Sequence, residues 1–217
     1  SHEHIVRPGM VYLSHPTELG TLYTRAELTA MADTCRELGV LLFIDGARLG
    51  YGLAAEPEVD LAFLARICDA FTIGGTKVGL LFGEAIVLTN AQLKDCFRYH
   101  IKQRGGMLAK GRLLGVQFEA MMDGDDYVKL SGRANAMAQE LKRAFLARGC
   151  GMLVDTPANQ IFPIIPHAAL ERLSKKYRFS FWEKVDETHS AVRVCTSVLT
   201  AREDADALLL DIAEMVV

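Results

Sequence analysis

Two short polar segments of the sequence each follow an apolar run of strand length. Segment 45–48 (Asp-Gly-Ala-Arg) follows residues 40–44, and segment 74–77 (Gly-Gly-Thr-Lys) follows residues 70–73. In open α/β sheets, functional residues collect beyond the carboxyl ends of parallel strands. The two segments are separated by about one βαβ unit. The spacing therefore predicts that a carboxylate and a lysine meet at one edge of a sheet.

Asp45 and Lys77 are the residue types that a pyridoxal-phosphate (PLP) enzyme needs. A lysine forms a Schiff base with a carbonyl group, and burial shifts lysine pKa values readily. A carboxylate opposite the ring nitrogen keeps that nitrogen protonated, so the ring can accept electrons from the substrate α-carbon. Spacing alone does not identify the cofactor, because an aspartate at a strand end is often a turn former and a lysine there is usually solvated.

The elements that would position this pair alternate between strands and helices. A strand at 10–14 precedes a helix at 25–38, which opens with a capping box formed by Thr24 and Glu27. Gly39 suits the left-handed position that ends a helix. The pattern predicts the first β-strand and helix of a βαβ series.

The strand at 40–44 is apolar without alternation, which predicts that both of its faces are covered. Pro57 is placed to open a further helix that runs to about Cys68. The strand at 70–73 follows. This order predicts an α/β fold built on a doubly wound parallel sheet.

The acidic turn at 123–126 marks the predicted boundary between a large domain (1–124) and a small α+β domain (125–217). Before it, the patterns predict a strand at 84–88 and helices at 91–103 and 107–122. After it, they predict a long helix that ends at Gly149, strands at 152–155, 161–165 and 191–196, and helices at 167–176 and 201–215. The last helix is predicted to open with a second capping box, from Thr200 to Glu203.

Composition excludes several classes of protein. The 217 residues are 50% hydrophobic and carry a net charge of −3, with dispersed basic residues, so no nucleic-acid partner is expected. No apolar run reaches membrane-spanning length, and the start of the chain has no secretory pattern. The five cysteines are widely spaced, which is typical of reduced thiols. We expect a cytoplasmic protein without a membrane partner, a disulfide framework or a metal site.

The order of the motifs resembles that of the L-threonine aldolase and β-eliminating lyase family of PLP enzymes. The resemblance continues to the end of the chain and implies the aspartate-aminotransferase-like fold, a three-layer α/β sandwich with a smaller α+β C-terminal domain. The matching segments are Pro-Thr-Glu-Leu-Gly-Thr at 16–21, Asp-Gly-Ala-Arg-Leu-Gly at 45–50, Gly-Gly-Thr-Lys-Val-Gly at 74–79, Gly-Glu-Ala at 83–85, Val-Arg at 192–193 and Thr-Ser at 196–197.

The resemblance implies a role for each of five residues. Lys77 is the lysine that holds PLP, and Asp45 is the partner of the ring nitrogen. Arg48 lies near the ring hydroxyl and the substrate, and Thr76 donates to the cofactor phosphate. Arg193 binds the substrate α-carboxylate, a task that suits the guanidinium fork.

Two of these roles have structural alternatives. Arg193 could instead form a surface salt bridge with an acid such as Glu187. Thr76 could simply be a turn residue.

Two parts of the family pattern are not found. The Gly-rich phosphate-binding loop and the aromatic residue that stacks on the ring belong to an upstream segment, so the N-terminal part of the large domain is expected to be absent from this chain. A separate N-terminal fragment of the same protein is a possible partner.

Segment 104–110 lacks the family's arginine after methionine. Lys102, Arg104 or Lys110 could supply the phosphate charge, although each also fits an ordinary basic helix end.

His15 and Glu18 follow the first strand, and His15 could act as a base, although a plain loop role fits either residue.

Segment 50–55 matches Gly-x-Gly-x-x-Ala, with Asp69 downstream as in a dinucleotide fingerprint. The first glycine does not follow its strand directly and Asp69 precedes its strand, so this interpretation is rejected.

The resemblance implies PLP-dependent aldol cleavage of a β-hydroxy-α-amino acid, with threonine or allo-threonine giving glycine and an aldehyde. A β-eliminating lyase or aminotransferase on the same scaffold is the nearest alternative. A non-catalytic protein on a degraded PLP scaffold is another. A homo-oligomer, either a dimer or a tetramer, is expected by analogy with the family.

Overall fold

The computed structural model describes residues 3–215 as two sheets with associated helices. The strands are β1 (Met10–Ser14), β2 (Leu41–Asp45), β3 (Ala70–Gly74), β4 (Glu84–Leu88), β5 (Gly151–Met152), β6 (Gln160–Ile161), β7 (Pro163–Pro166), β8 (Ser180–Lys184) and β9 (His189–Cys195). The helices are α1 (Arg25–Leu38), α2 (Leu49–Ala55), α3 (Leu61–Ile67), α4 (Ala91–Lys94), α5 (Phe97–Gln103), α6 (Arg112–Met122), α7 (Asp126–Ala147), α8 (His167–Leu173) and α9 (Arg202–Ala213), and a 3₁₀ turn spans Thr76–Val78.

The first sheet has the order β1-β2-β3-β4. Strands β1, β2 and β3 are parallel, and β4 is antiparallel to β3. The second sheet is antiparallel, with the order β5-β7-β9-β6 and β8 paired to β9. The predicted βαβ series is confirmed, and it brings the carboxyl ends of β2 and β3 side by side.

Helix α1 begins and ends where its sequence signals place it. The Thr24 hydroxyl accepts a hydrogen bond from the Glu27 amide, while the Glu27 carboxylate accepts one from the Thr24 amide at 2.8 Å. Gly39 has a φ of 64° and ends the helix in the left-handed conformation. The buried residues Leu28, Ala32 and Cys35 pack into the core.

Other predicted boundaries were wrong. The helix expected from Pro57 begins only at Leu61, because the Asp60 carboxylate accepts from the Phe63 amide and caps it there. The helix expected over 91–103 is split into α4 and α5 at Cys96, whose φ is 54°.

Two further predicted helices also start differently. The helix expected from 107 starts at Arg112, after a segment that contains glycines at 105, 106 and 111. The second capping box does not form, because the N-cap of α9 is Ala201 and the Thr200 hydroxyl accepts from the Ser197 amide at 2.9 Å instead. Helix α2 and strand β8 were not predicted.

The first sheet is covered unequally in the part of the chain that the structure describes. Leu42 and Ile44 are buried in a core that includes residues of α1 and α3. On the other face of β2, Phe43 and Asp45 are only half-buried, and Tyr12 of β1 is exposed. The predicted burial of both faces is therefore confirmed for one face of β2 only.

Helix α7 contributes to two separate hydrophobic clusters. Tyr127 and Ala134, in its first half, belong to the cluster beneath the first sheet. Leu141 and Phe145, in its second half, belong to the cluster beneath the second sheet. The division at 124/125 stays a prediction, because α7 takes part in both cores.

Candidate active site

Segments 45–48 and 74–77 are in direct contact. The Gly74 amide donates to the Gly46 carbonyl at 2.9 Å, and the Gly46 amide donates to the Thr72 hydroxyl at 2.9 Å. A Cβ atom on Gly46 would lie 1.9 Å from the Thr72 carbonyl oxygen, and one on Gly74 would lie 2.4 Å from that of Ala47. Only glycine permits this backbone approach, which brings the two predicted site segments together.

The Asp45 carboxylate at the end of β2 is held at both oxygens. Oδ1 accepts from the Ala47 amide at 2.8 Å, and Oδ2 accepts from the Tyr12 hydroxyl. The Tyr12 ring stacks on Phe43, with 5.3 Å between ring centroids. An ionised carboxylate has about four lone-pair sites, so it can accept a further donor.

Lys77 lies in the 3₁₀ turn after β3, with its backbone anchored. The buried Tyr51 hydroxyl donates to the Lys77 carbonyl, and the neighbouring Val78 is fully buried. The Lys77 side chain itself is exposed, as is that of Thr76.

A cleft of about 210 Å³ lies beside this turn. Arg48, whose side chain is 13% exposed, forms an ion pair with Glu18 at 3.5 Å. Helix α2 begins directly after Arg48, so the helix fixes the position of its backbone. The cleft is lined by Arg48, Tyr51, Thr76, Lys77, Gly79, Asn159, Cys195, Thr196, Ser197, Val198 and Leu199.

Arg193 of β9 lines an adjoining cavity of about 480 Å³ rather than the cleft itself. Cys195 and Thr196 line both spaces. The Nε atom of Arg193 is buried and has no hydrogen-bond partner among residues 3–215. Glu187 pairs with Lys184 at 2.8 Å, so the surface salt bridge considered for Arg193 is not formed with that acid.

Three cations lie in the neighbourhood of Cys195, which lines both the cleft and the adjoining cavity. Cys195 keeps exposed surface, yet burial of its thiol raises its pKa. Arg48, Arg193 and Lys77 each oppose that rise through their positive charge. Because the charges of all three cations reach this thiol, they lie in its neighbourhood, and such an arrangement suits an anionic group such as a carboxylate or phosphate.

Several residues of the site were not predicted from the sequence. The Tyr127 hydroxyl donates to the Gly74 carbonyl at 2.8 Å and accepts from the Gly50 amide at 3.2 Å. Asn159 is 2% exposed, and its Nδ2 donates to the Thr196 carbonyl at 2.7 Å while its Oδ1 has no partner in the described chain. These residues lie far from the motifs in sequence, and no local pattern marks them.

His15 and the three basic residues considered for the phosphate do not line the cleft. His15 is fully buried with neither ring nitrogen hydrogen-bonded in the described part, and burial lowers its pKa to about 4. Lys102, Arg104 and Lys110 are exposed, and Arg104 lines a larger cavity of about 530 Å³ between β4 and α5 that contains no lysine.

The Gly-x-Gly motif lies inside α2 rather than in a loop between a strand and a helix. Asp69 accepts from the Leu42 amide at 2.8 Å and from Asn90 at 2.7 Å, so it has a structural role. No group of residues within 3–215 could hold a metal ion, and no helix in that range is long and apolar enough to cross a membrane.

Residues 1–163 of the chain match the family model for β-eliminating lyases. The chain is 33% identical over 181 residues to a low specificity L-threonine aldolase of Pseudomonas aeruginosa, covering 81% of this chain and 52% of that protein. A Pseudomonas sp. protein of the same name is 34% identical over 180 residues, with the same coverage. The chain therefore spans about half the length of these relatives.

Among solved structures, the threonine aldolase of Leishmania major superposes with a TM-score of 0.95 at 38% identity, covering 99% of this chain and 63% of that chain. This agreement confirms the mixed α/β fold expected from the sequence. Threonine aldolases and β-eliminating lyases depend on PLP. The chain belongs to the β-eliminating lyase family of PLP-dependent enzymes.

Proposed function

We propose that the protein is a PLP-dependent lyase that cleaves a β-hydroxy-α-amino acid, with threonine or allo-threonine giving glycine and an aldehyde. The observation that carries the proposal is the contact between the segments of Asp45 and Lys77, at the carboxyl ends of adjacent parallel strands. In this proposal residues 1–124 belong to the PLP-binding domain and residues 125–217 form the small domain.

The residues of the two motif segments and Arg193 of β9 fit PLP. Asp45 is held at both oxygens and still has lone pairs for a ring N–H. Arg48, Arg193 and Lys77 lie in the neighbourhood of Cys195, and PLP and its amino-acid substrate both carry anionic groups that such cations can bind. The glycines at 46 and 74 allow the backbones of the two motif segments to approach closely, which keeps these segments together.

Each residue has a defined task in this proposal. The Lys77 amine would hold PLP covalently, Asp45 would keep its ring nitrogen protonated, and Thr76 would donate to its phosphate. Bound PLP supplies an electron sink for the pair released when a bond to the substrate α-carbon breaks. Arg48 would orient the ring hydroxyl and the substrate.

Arg193 would bind the substrate carboxylate. Its buried Nε has no partner in the described residues, and such an unmet donor carries a desolvation cost that an incoming carboxylate removes. A carboxylate held in this way fixes the orientation of the α-carbon substituents. Orientation is a large part of the rate enhancement in reactions of this kind.

The test is mass spectrometry of the protein after incubation with PLP and reduction with borohydride. We expect the phosphopyridoxyl mass on Lys77, and no such mass at any site in Lys77→Ala. Lys94→Ala, which changes an exposed lysine of α4, is the matched control and should label as the wild type does. Absence of saturable labelling in the wild type contradicts the proposal.

Product analysis then identifies the reaction. Glycine and an aldehyde from threonine support aldol cleavage. Ammonia with a keto acid indicates β-elimination, which the matched family model favours as the second candidate. A keto acid alone indicates transamination, and labelling without turnover indicates a binding protein. Light scattering tests the accompanying proposal of a dimer or tetramer.

A further inference from the structure

We infer that Tyr12 is a positioning residue that orients the Asp45 carboxylate for the ring nitrogen of PLP. The inference rests on the proposed function, because it concerns how this chain prepares Asp45 for the cofactor. Neither the sequence motifs nor the family match assigns a role to Tyr12.

The sheet register places Tyr12 where its hydroxyl can reach Asp45. Strands β1 and β2 are parallel, with Tyr12 opposite Phe43 and Ser14 opposite Asp45. Because side chains alternate along a strand, Phe43 and Asp45 share one face. The Tyr12 ring stacks on Phe43 at 5.3 Å, which directs its hydroxyl along the strand to Oδ2 of Asp45.

The phenol is the donor in this contact. Its hydrogen bond to Asp45 raises its pKa to about 12, and the acidic neighbours Glu18 and Glu84 add to the rise. Tyr12 therefore stays protonated at neutral pH. A protonated phenol that faces a carboxylate can only donate its proton into the hydrogen bond.

The two hydrogen bonds to Asp45 fix its plane. The Ala47 amide holds Oδ1 at 2.8 Å, and Tyr12 holds Oδ2. With Oδ1 alone held, the carboxylate could rotate about its Cβ–Cγ bond. Tyr12 removes that freedom before the cofactor binds. The binding of PLP therefore loses no free energy to ordering the Asp45 carboxylate.

The test is the dissociation constant of PLP, measured by equilibrium dialysis of the purified protein. Tyr12→Phe keeps the stacked ring and removes the donor, so we expect binding about tenfold weaker. Asp45→Asn should weaken binding further. Adding Tyr12→Phe to Asp45→Asn should then change little, because the two substitutions remove one shared interaction. Tyr99→Phe, at a tyrosine that is 75% exposed, is the matched control and should bind as the wild type does.

The outcomes separate this inference from the proposed function. Wild-type affinity in Tyr12→Phe, with weakened binding in Asp45→Asn, overturns the role of Tyr12 alone. Wild-type affinity in Asp45→Asn overturns the proposed function. If Tyr12→Phe does not fold, Tyr12→Gln, which retains a donor, is compared with Tyr12→Leu. We expect tighter PLP binding by the glutamine variant, and equal binding by the two contradicts the inference.

Discussion

The hydroxyl of Tyr127 on α7 donates a hydrogen bond to the carbonyl of Gly74, 2.8 Å away at the end of β3. The same oxygen accepts from the Gly50 amide of α2 at 3.2 Å. The hydroxyl of Tyr127 thus joins α7 to α2 and to the end of β3. Residues of α2 and of the turn after β3 line the cleft. The turn that carries Lys77 starts two residues after this contact, so its backbone begins from a fixed point.

Tyr127→Phe should destabilise the protein by about 1–3 kcal/mol, because it leaves the Gly74 carbonyl and the Gly50 amide buried without this partner. Tyr127 is 2% exposed, so water cannot readily replace the hydroxyl. Urea unfolding followed by circular dichroism measures the change. Tyr99→Phe, at an exposed tyrosine, should leave the midpoint in place. Equal midpoints for the two variants contradict a bridging role for the phenol.

Gly46→Ala should destabilise the protein by about 3 kcal/mol, because the new methyl group meets the Thr72 carbonyl and forces the two segments apart. Gly115→Ala is the matched control, since no atom lies within 4 Å of its added Cβ within α6. The control should be more stable than the wild type by about 1 kcal/mol through helix propensity. A Gly46→Ala protein with wild-type stability is inconsistent with the close approach.

His15 makes stability depend on pH. Burial lowers its pKa from 6.5 to about 4, so between these values the unfolded chain binds a proton that the folded protein does not. The free energy of unfolding should therefore fall as pH drops from about 6.5 towards 4, by about 3 kcal/mol in total, and this contribution should change little below that range.

Urea unfolding at pH 7 and at pH 4.5 measures this dependence. His15→Gln should show a smaller difference between the two pH values, whatever its absolute stability. His100→Gln, at an exposed histidine, should retain the full difference. If the difference in unfolding free energy between pH 7 and pH 4.5 is unchanged in His15→Gln, another group is responsible for it.

Arg193→Lys should raise KM for the amino acid by about tenfold or more with a smaller change in kcat, because lysine cannot form the paired hydrogen bonds of a guanidinium. Arg178→Lys changes a neighbouring arginine that lines the same cavity and serves as the control. The readout is steady-state kinetics with threonine. If kcat falls while KM is unchanged, the proposed role of Arg193 in binding the substrate carboxylate is contradicted.

The sequence predicted the parts of the fold that depend on local signals. The helix at 25–38 has both a capping box and a glycine stop, and its bounds were correct. Apolar runs predicted β2 and β3, and the spacing between them predicted that Asp45 and Lys77 would lie at one edge. These features depend on residues that are close in sequence, so the sequence carries them directly.

The features that were missed depend on contacts between distant residues. Helix α2 contains Gly50 and Gly52, which disfavour a helix locally, and its packing against α7 outweighs that propensity. Asp60 replaced Pro57 as a helix start because its side chain reaches the Phe63 amide. Asn159 and Cys195 reach the cleft only through the pairing of β6 with β9. No window of local sequence contains such information.

Helix α7 is anchored at both ends, because its two halves pack in different hydrophobic clusters. Its first half holds Gly74 and α2 through Tyr127 and Asn135, and its second half is embedded in the other core through Leu141 and Phe145. A continuous helix transmits tilt along its length because its hydrogen bonds resist bending. We therefore expect that a tilt of α7 together with the second sheet would shift the Gly74 carbonyl, which lies just before the turn that carries Lys77.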